Sequence, residues 1–387
     1  MSLHRSGSQF LFRCACFAAL ALLCTSAVVF SQPAAPQDSS GDSPTHVPPL
    51  ARDLSPALTR RAIAKAILKV GDWQLARAES LFNQDWTYAA LYAGFMAVPE
   101  PVAGDRYREA MQRMGQRFQW QLGPRLGHAD DEAIGQTYLD LYLRQRDPAM
   151  LAPTRDVIDR VMQLPDDKEK PLWWWCDALF MAPPVFVRLY QATGDKTYLD
   201  FMDRQWWITS GLLYSSKDHL YARDRSFLPA HEANGASLYW SRGNGWVMGG
   251  LVRVLIALPA TYPSRPAYVR QFQQMAERIA SIQGADGLWR PGLLDADAYK
   301  LPEVSGSAFY TYALAYGIRA QILDRKIYLP VVRKAWAGLL RHVYADGRLG
   351  SIQPIGAAPG VYSESSSYVF GTGAFLLAGS EVYRLAR

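Results

Sequence analysis

The fold is decided by residues 177–210, DALFMAPPVFVRLYQATGDKTYLDFMDRQWWITS. Apolar residues recur there at three- and four-residue spacing on both sides of the short turn Thr193-Gly194-Asp195, which is typical of two amphipathic helices packed against each other. A similar pattern, with an apolar helix end, a turn containing Asp and a Tyr-Leu pair, recurs at residues 322–329. The sequence therefore predicts a chain of repeated helical hairpins.

From residue 55 onwards the same periodicity predicts an all-α protein with twelve helices. They are expected at residues 56–80, 85–97, 104–120, 131–145, 149–162, 177–192, 196–210, 245–258, 266–282, 305–323, 328–344 and 371–386. Two Ala-Asp-Gly turns, at residues 285–287 and 345–347, are 60 residues apart, and this spacing fits six hairpins closed into a ring. An open α-solenoid is the alternative arrangement.

The connections between the predicted helices alternate between short and long. The long ones cover residues 121–130, 163–176, 211–244, 283–304 and 345–370. Because antiparallel helices place all the short turns at one end, the long loops gather around one mouth at the other end. Loops of this length usually carry function, so we expect the functional site at this mouth.

The N-terminus is typical of an export signal. Residues 1–31 contain Arg5 and Arg13, no acidic residue, and an apolar run at residues 14–30 that ends near a plausible cleavage site. We interpret them as a signal peptide of a periplasmic or secreted protein; a retained membrane anchor and a lipoprotein site at Cys24 are the alternatives. Residues 32–54, rich in Pro, Ser, Asp and Gln, are predicted as a flexible linker, and residues 55–387 as the folded domain.

Composition and missing motifs exclude several classes of protein. The net charge of +6 falls to +4 without the signal, and no basic run is present, so nucleic-acid binding is disfavoured. The four histidines beyond residue 50 are scattered, and no Cys-x-x-Cys pair, phosphate-binding loop, Rossmann fingerprint or nucleophile elbow occurs. We therefore expect neither a metal nor a cofactor.

Asp177 is the most informative candidate for catalysis. It lies among three Trp residues, a Cys and an apolar helix start, where poor solvation should raise the carboxyl pKa, as a general acid requires. A helix N-cap is the alternative role. Asp130 and Asp131 form a second acidic site, in which one side chain is expected to cap a helix and the other to face the mouth; helix capping alone is the alternative role.

A second loop supplies the candidate substrate ligands. Trp240-Ser-Arg242-Gly-Asn-Gly-Trp246 combines a rigid guanidinium, which suits capture of a carboxylate, with two indoles that can flank a flat ligand. Arg223 is a similar candidate, although an internal ion pair with Asp224 is the alternative.

Together these motifs resemble the unsaturated glucuronyl and rhamnogalacturonyl hydrolases of glycoside hydrolase families 88 and 105, and family 105 more closely. The resemblance rests mainly on residues 175–184, WCDALFMAPP, and residues 240–246, WSRGNGW. Supporting matches are residues 85–88 (DWTY), 305–307 (SGS), 310–316 (YTYALAY) and 371–381 (GTGAFLLAGSE). It spans residues 60–387 and implies an (α/α)6 barrel.

The resemblance also implies roles for individual residues. Asp177 is expected to be the general acid/base, with Asp130, or less favourably Asp131, as the second acidic residue. The implied substrate-binding residues are Arg242, Trp246, Trp240, Tyr88, Trp86, Trp174, Arg223 and Met181. The sequence departs from relatives in its third long loop, which carries Arg223-Asp224 where some of them have His, and at residues 303–305, Glu-Val-Ser, where Glu-Thr-Ser is more usual.

The implied reaction removes a terminal 4,5-unsaturated uronic acid from an oligosaccharide made by a polysaccharide lyase, with rhamnogalacturonan fragments as the default. Asp177 would protonate C4, and water would add at C5. Ulvan-type and other glucuronyl substrates remain open. Two other functions are kept as alternatives: a sugar isomerase or epimerase on the same barrel, and an inactive carbohydrate-binding protein.

Overall fold

The helical repeat forms fifteen α-helices in the part of the chain that the computed structural model describes, residues 39–167 and 169–386. They are α1 (Arg60–Ala78), α2 (Trp86–Ala97), α3 (Glu100–Ala103), α4 (Arg106–Arg117), α5 (Ala129–Glu132), α6 (Gly135–Gln145), α7 (Ala152–Val161), α8 (Ala178–Met181), α9 (Pro183–Thr193), α10 (Thr197–Leu213), α11 (Ser241–Ala257), α12 (Arg265–Ser281), α13 (Val304–Arg319), α14 (Arg325–Leu340) and α15 (Val369–Leu385). Four two-residue strands accompany them: β1 (Gly41–Asp42), β2 (Tyr214–Ser215), β3 (Leu220–Tyr221) and β4 (Ser367–Tyr368).

The twelve longer helices correspond to the twelve predicted ones, and α3, α5 and α8 are short additions. The predicted helix at 177–192 is divided into α8 and α9 because Pro183 and Pro184 lack the backbone N–H that a continuous helix needs. The predicted helix at 56–80 begins only at α1, where the Thr59 hydroxyl accepts a hydrogen bond from the Ala62 amide at 3.3 Å.

Six helices form a closed inner ring. α2, α6, α9, α11, α13 and α15 each contact the next, and α15 returns to α2. α11, α13 and α15 are buried on nearly every side, whereas α4, α7 and α12 bury a single stripe, as expected for inner and outer layers. The architecture is therefore an (α/α)6 barrel, and the open solenoid is excluded.

All six inner helices begin at the same end of the barrel. Five of them are entered from a long loop and α2 from the shorter segment 79–85, while the short turns lie at the opposite end, as at Gly194, whose φ of 77° ends α9. The N-terminal ends of the inner helices, which carry unpaired backbone N–H groups and partial positive charge, therefore surround one mouth.

Residues 39–51, here called the strap, run along the barrel instead of lying free. β1 pairs antiparallel with β4, and the Ala51 amide donates to the Val343 carbonyl at 2.8 Å. Asp42 binds Arg348 at 2.6 Å and Arg77 at 2.9 Å; burial opposes ionisation, but these cations hold the Asp42 pKa below its usual range.

Within the linker predicted at residues 32–54, backbone pairing and the ion pairs of Asp42 therefore attach residues 39–51 to the barrel. The predicted signal peptide and residues 32–38 lie outside the described residues. Among the described helices, none is long and apolar enough to span a membrane.

Candidate active site

The mouth brings together groups from separate hairpins, each at the start of an inner helix or just before it. Asp130 lies in α5 and Asp177 directly precedes α8, so both precede inner helices of the barrel. Arg242 lies in the first turn of α11, and Glu303 caps α13. Residues more than 170 positions apart therefore share one site because every inner helix starts there.

Asp177 is nearly buried, with 9% of its surface exposed. Its Oδ2 accepts from the Cys176 thiol at 3.4 Å and lies 3.8 Å from Arg223 Nε. Burial raises the Asp177 pKa, although the charges of Arg223 and Arg242 oppose the rise. The carboxylate caps no backbone N–H of α8, so its position is not explained by helix capping.

Asp130 and Asp131 have different environments. Asp131 accepts hydrogen bonds from the Arg125 guanidinium at 2.5 Å and the Arg125 amide at 2.7 Å, so it fixes the loop before α5. Burial, reinforced by the negative charge of Asp177, raises the Asp130 pKa to about 7. Asp130 is thus the residue placed beside Asp177. His128 Nδ1 lies 3.8 Å from Asp130 Oδ2, and the pKa of this histidine is lowered mainly by burial.

Arg223 lies beside Asp177 and Asp224. Its Nη1 donates to Asp224 at 2.5 Å, and its guanidinium lies 5.2 Å from the centre of the Trp174 ring. The predicted internal ion pair with Asp224 therefore forms, and the same guanidinium also faces Asp177. Trp174 itself is 45% exposed, which is unusual for so large an aromatic side chain.

Arg242, in contrast, is fully buried. Its Nη1 and Nη2 donate to the carbonyls of Gln353 and Pro354, each at 2.6 Å. Its guanidinium lies between the Trp240 and Phe370 rings, at 4.4 and 4.8 Å from their centres. It therefore ties the fifth long loop to α11, and its charge reaches the site mainly through its effect on Asp177.

Two residues around Arg242 are missed by sequence reasoning. Glu303 is completely buried, lies 3.8 Å from Arg242 Nη1 and accepts hydrogen bonds from Ser305 and Gly306. Gln353 accepts from Trp240 Nε1 at 3.1 Å. Glu303 could have been recognised from the sequence as a helix N-cap, since it is an acidic residue before Ser and Gly at a helix start. No sequence pattern points to Gln353.

The other predicted sugar contacts divide into a floor and a rim. Trp246 is completely buried and packs against Phe180 and Phe309, with ring centres 4.9 and 4.5 Å apart. Met181 and Trp240 are likewise buried. These side chains form the floor beneath the mouth and are not positioned as exposed sugar contacts.

The rim is formed by Trp86 and its neighbours. Trp86 is only partly buried and stacks on Phe370 at 5.5 Å, and Phe370 in turn stacks on Tyr368 at 5.6 Å. Tyr88 is buried behind them, where its hydroxyl donates to the Ser39 carbonyl of the strap at 2.7 Å. The strap is therefore attached to the wall of the site.

A polar network below the floor was also not predicted. Gln136 donates to the carbonyls of Phe180 and Met181 at 2.8 and 2.9 Å, and it accepts from Arg253 Nε at 2.5 Å. Asp140 joins the network by pairing with Arg188 at 2.6 Å. These bonds link α6, α8, α9 and α11, and so they fix the helix that follows Asp177.

The sequence profile described as Glycosyl Hydrolase Family 88 matches residues 61–386. The chain belongs to this family. As a family 88 member it is a glycoside hydrolase, and the resemblance seen in its motifs is confirmed. No group of three or more His, Cys, Asp or Glu side chains among the described residues is arranged to hold a metal ion.

Relatives of the chain cover most of its length. It is 40% identical to an unsaturated 3S-rhamnoglycuronyl hydrolase of Formosa agariphila, over 85% of this chain and 92% of the relative. It is 31% identical to a protein of the same name from Alteromonas sp. (strain LOR), over 85% and 89%. A solved family 88 hydrolase from Bacteroides vulgatus superposes with a TM-score of 0.81 at 31% identity, covering 84% of this chain and 99% of that structure.

Proposed function

We propose that this family 88 enzyme removes a terminal 4,5-unsaturated uronic acid from short oligosaccharides in which that sugar is linked to rhamnose. The observation that carries the proposal is the Asp177 carboxyl, which is buried beside a second carboxyl of raised pKa. Such a carboxyl stays protonated at a pH where an exposed Asp is ionised, so it can donate a proton. The names of the relatives from Formosa agariphila and Alteromonas support the unsaturated uronyl–rhamnose unit.

The proposed reaction begins with proton transfer from Asp177 to C4 of the vinyl ether. The positive charge that develops at C5 is shared with the ring oxygen, and water then attacks C5. The Asp177 carboxylate takes the proton that this water loses, so the acid is regenerated. The resulting hemiketal opens to a C5 ketone, which leaves C1 as a hemiacetal; its collapse to an aldehyde releases the second sugar, and one water is consumed.

The surrounding side chains have separate roles in this scheme. Burial of Asp177 disfavours its ionised form and so keeps the proton available, and the negative charge that Asp177 acquires after proton transfer raises the pKa of Asp130. Arg223 faces the carboxylate that forms after proton transfer. The ends of the inner helices supply partial positive charge that attracts the carboxylate of the sugar. No second nucleophile is needed, so the carboxylate spacings of ordinary glycosidases do not apply.

Two substrates contain an unsaturated uronic acid linked to rhamnose, one derived from a glucuronyl and one from a galacturonyl residue, and they differ in the anomeric configuration of that link. Lyase elimination destroys the C4 stereocentre, so glucuronyl and galacturonyl residues give the same unsaturated sugar and differ only in the configuration at C1. We propose the glucuronyl form, in line with the relatives' names. Rhamnogalacturonan fragments, the expectation from the motifs, are the competing substrate.

The test is a side-by-side assay of α- and β-linked unsaturated uronyl–rhamnose disaccharides. Turnover removes the ultraviolet absorbance of the conjugated double bond and adds the mass of one water. Preference for the β-linked compound supports the glucuronyl assignment, and preference for the α-linked compound supports rhamnogalacturonan. If neither is consumed, the hydrolase proposal fails; a product of unchanged mass would favour the isomerase alternative.

We also propose that the protein is exported. The support is the arrangement of residues 1–31, with basic residues before an apolar run and a cleavage site of small residues after it. Fractionation of cells that produce the full chain, followed by N-terminal sequencing, tests this. Protein that stays in the cytoplasm with residues 1–31 intact would contradict the proposal.

A further inference from the structure

The helix that follows the acid, α8, is a single turn whose carbonyl groups lack backbone donors. In a longer helix the amides of residues 183 and 184 would pair with the carbonyls four positions earlier, but both residues are proline and have no N–H. The Leu179 and Phe180 carbonyls therefore need partners from outside α8. Phe180 also donates its own amide to the Asp177 carbonyl at 3.0 Å. A group that holds Phe180 thus also holds the backbone of the acid.

Gln136 of α6 supplies such a partner from another hairpin. It is 1% exposed; its Nε2 donates to the Phe180 and Met181 carbonyls at 2.8 and 2.9 Å, and its Oε1 accepts from Arg253 Nε at 2.5 Å. Because a carbonyl only accepts and a guanidinium only donates, the orientation of the carboxamide is fixed. Only Asn and Gln carry an acceptor and two N–H hydrogens on one group, and the Asn side chain is shorter by one carbon.

α11 limits the position of α8 at a second point. A Cβ at Gly250 would lie 2.1 Å from the Leu179 carbonyl oxygen, so only glycine lets the two backbones approach this closely. α8 is therefore fixed by a donor on α6 and by the bare backbone of α11.

The same glutamine is joined to the segment that carries the second acid. Its backbone amide donates to the Ala133 carbonyl at 3.2 Å, directly after α5, in which Asp130 lies. α5 also contacts α8. One side chain thus connects the backbone around Asp130 with the backbone around Asp177.

We propose that Gln136 is a positioning residue for Asp177, which sets the place of the acid relative to Asp130 and to C4 of the sugar by holding the carbonyls of α8. The proposal rests on the proposed function and adds to it a residue that lies beneath the floor and does not touch the substrate. Proton transfer requires the acid within hydrogen-bond reach of the reacting atom, and a misplacement of about 1 Å can lower a rate about a hundredfold.

The decisive variant is Gln136→Glu, because the charges around Gln136 allow activity to be separated from stability. Buried Arg188 and Arg253 both pair with Asp140, at 2.6 and 3.4 Å, which leaves an excess of one positive charge. A glutamate keeps the acceptor for Arg253 and balances this charge. It cannot serve both carbonyls, since a carboxylate has no hydrogen and a protonated carboxyl has only one. We expect kcat to fall by about tenfold to a hundredfold, with KM nearly unchanged.

Gly250→Ala is a second variant, which moves α8 without changing the polar network. It should lower kcat and leave KM nearly unchanged in the same way, because the added Cβ displaces the Leu179 carbonyl.

Each variant has a matched control. Gln271→Glu places a carboxylate at another buried glutamine, on the outer helix α12, whose carboxamide bonds Trp206 and Tyr221 and no residue of α8. It should lower the urea unfolding midpoint more than Gln136→Glu does, because no guanidinium balances the charge, and it should retain kcat. Gly211→Ala, at an exposed position in α10 where a Cβ meets no atom within 4 Å, should retain both.

The experiment uses the full chain and the unsaturated uronyl–rhamnose disaccharide that the wild type prefers, with kcat and KM taken from the loss of ultraviolet absorbance. If the wild type consumes no such disaccharide, the proposed function fails and the positioning role fails with it. If the wild type is active and Gln136→Glu retains its kcat, only the positioning role is overturned. The same conclusion follows if Gln271→Glu loses as much kcat as Gln136→Glu. A loss of kcat in Gln136→Glu and Gly250→Ala, absent from the less stable Gln271→Glu, supports the proposal, because general damage to the fold would follow the order of stability.

Discussion

Replacing Glu132 by Gln should make the folded protein more stable at alkaline pH and leave it nearly unchanged at acid pH. Glu132, at the end of α5, is 1% exposed, and neither carboxyl oxygen has a hydrogen-bond partner among the described residues. Burial, followed by the charges of Asp131 and Asp130, raises its pKa from 4.5 to about 8. Glutamine has nearly the same shape and does not ionise, so it removes the titration without opening a cavity.

The size of the effect follows from proton linkage. Below pH 4.5 the carboxyl is protonated in both the folded and the unfolded chain, and it contributes no difference. Between pH 4.5 and about 8 the unfolded chain has released the proton and the folded protein retains it, so the free energy of unfolding falls as the pH rises. The slope is about 1.4 kcal/mol per pH unit, which gives a loss of about 5 kcal/mol that is complete above pH 8.

The assay is urea unfolding of the wild type and Glu132→Gln at about pH 5, 7 and 9. The difference in unfolding free energy between the two proteins should grow from less than about 1 kcal/mol to about 5 kcal/mol across this range. Asp130 and Asp177 also titrate, but they are present in both proteins and largely cancel in the difference. A loss of this size is a large share of a typical domain's stability.

A stability difference that stays constant from pH 5 to 9 would refute the reasoning. It would mean that Glu132 is ionised in the folded protein or that water reaches it. Glu109→Gln, at an exposed position on α4, is the control for the loss of one carboxyl group at another place in the fold.

Three further predictions concern the site and the strap. Asp177→Asn should lower kcat by about a hundredfold to ten-thousandfold while calorimetry still detects substrate binding. In the wild type, kcat should fall as the pH rises through the raised pKa of Asp177, because the protonated form is active. Arg242→Gln should cost about 3 kcal/mol or more in urea unfolding, because Glu303 is left buried without its cation, and hydrogen exchange should increase at residues 351–366. Gly41→Val should detach the strap, because a Cβ there would lie 2.3 Å from the Tyr368 ring, and limited proteolysis should then cut within residues 39–54.

The barrel could be predicted from the sequence because each inner and outer helix is recognised from the apolar periodicity of its own residues. Residues 177–210 predict a hairpin without reference to any other segment, and alternating loop lengths then place the mouth. The attachment of the strap was not predicted, because its Pro- and Ser-rich composition does not reveal that β1 pairs with a strand more than 300 residues later. Composition reports local preference, and it says nothing about a distant partner.

The site was predicted unevenly for a similar reason. The surroundings of Asp177 are given by its sequence neighbours, so burial and a raised pKa could be expected. Arg242 was expected to meet the sugar, but its partners are the backbone carbonyls of residues 353 and 354, and carbonyls carry no side-chain signature in a sequence. The same limit applies to Asp130 and Asp131, which are adjacent in sequence and are separated only by the direction in which Arg125 holds Asp131.

The arrangement of the mouth sets two requirements against each other. Six helix N-termini and two guanidinium groups attract the carboxylate of an anionic sugar, yet the same positive field favours the ionised form of Asp177, which cannot donate a proton. Burial of Asp177 acts in the opposite direction, and the net shift of the Asp177 pKa is upward. A bound sugar carboxylate would add a negative charge and expel water, so substrate binding itself should raise the pKa of Asp177 further and favour its protonated form. The positive mouth can therefore capture an anion without losing the acid, because the captured anion offsets the field that attracted it.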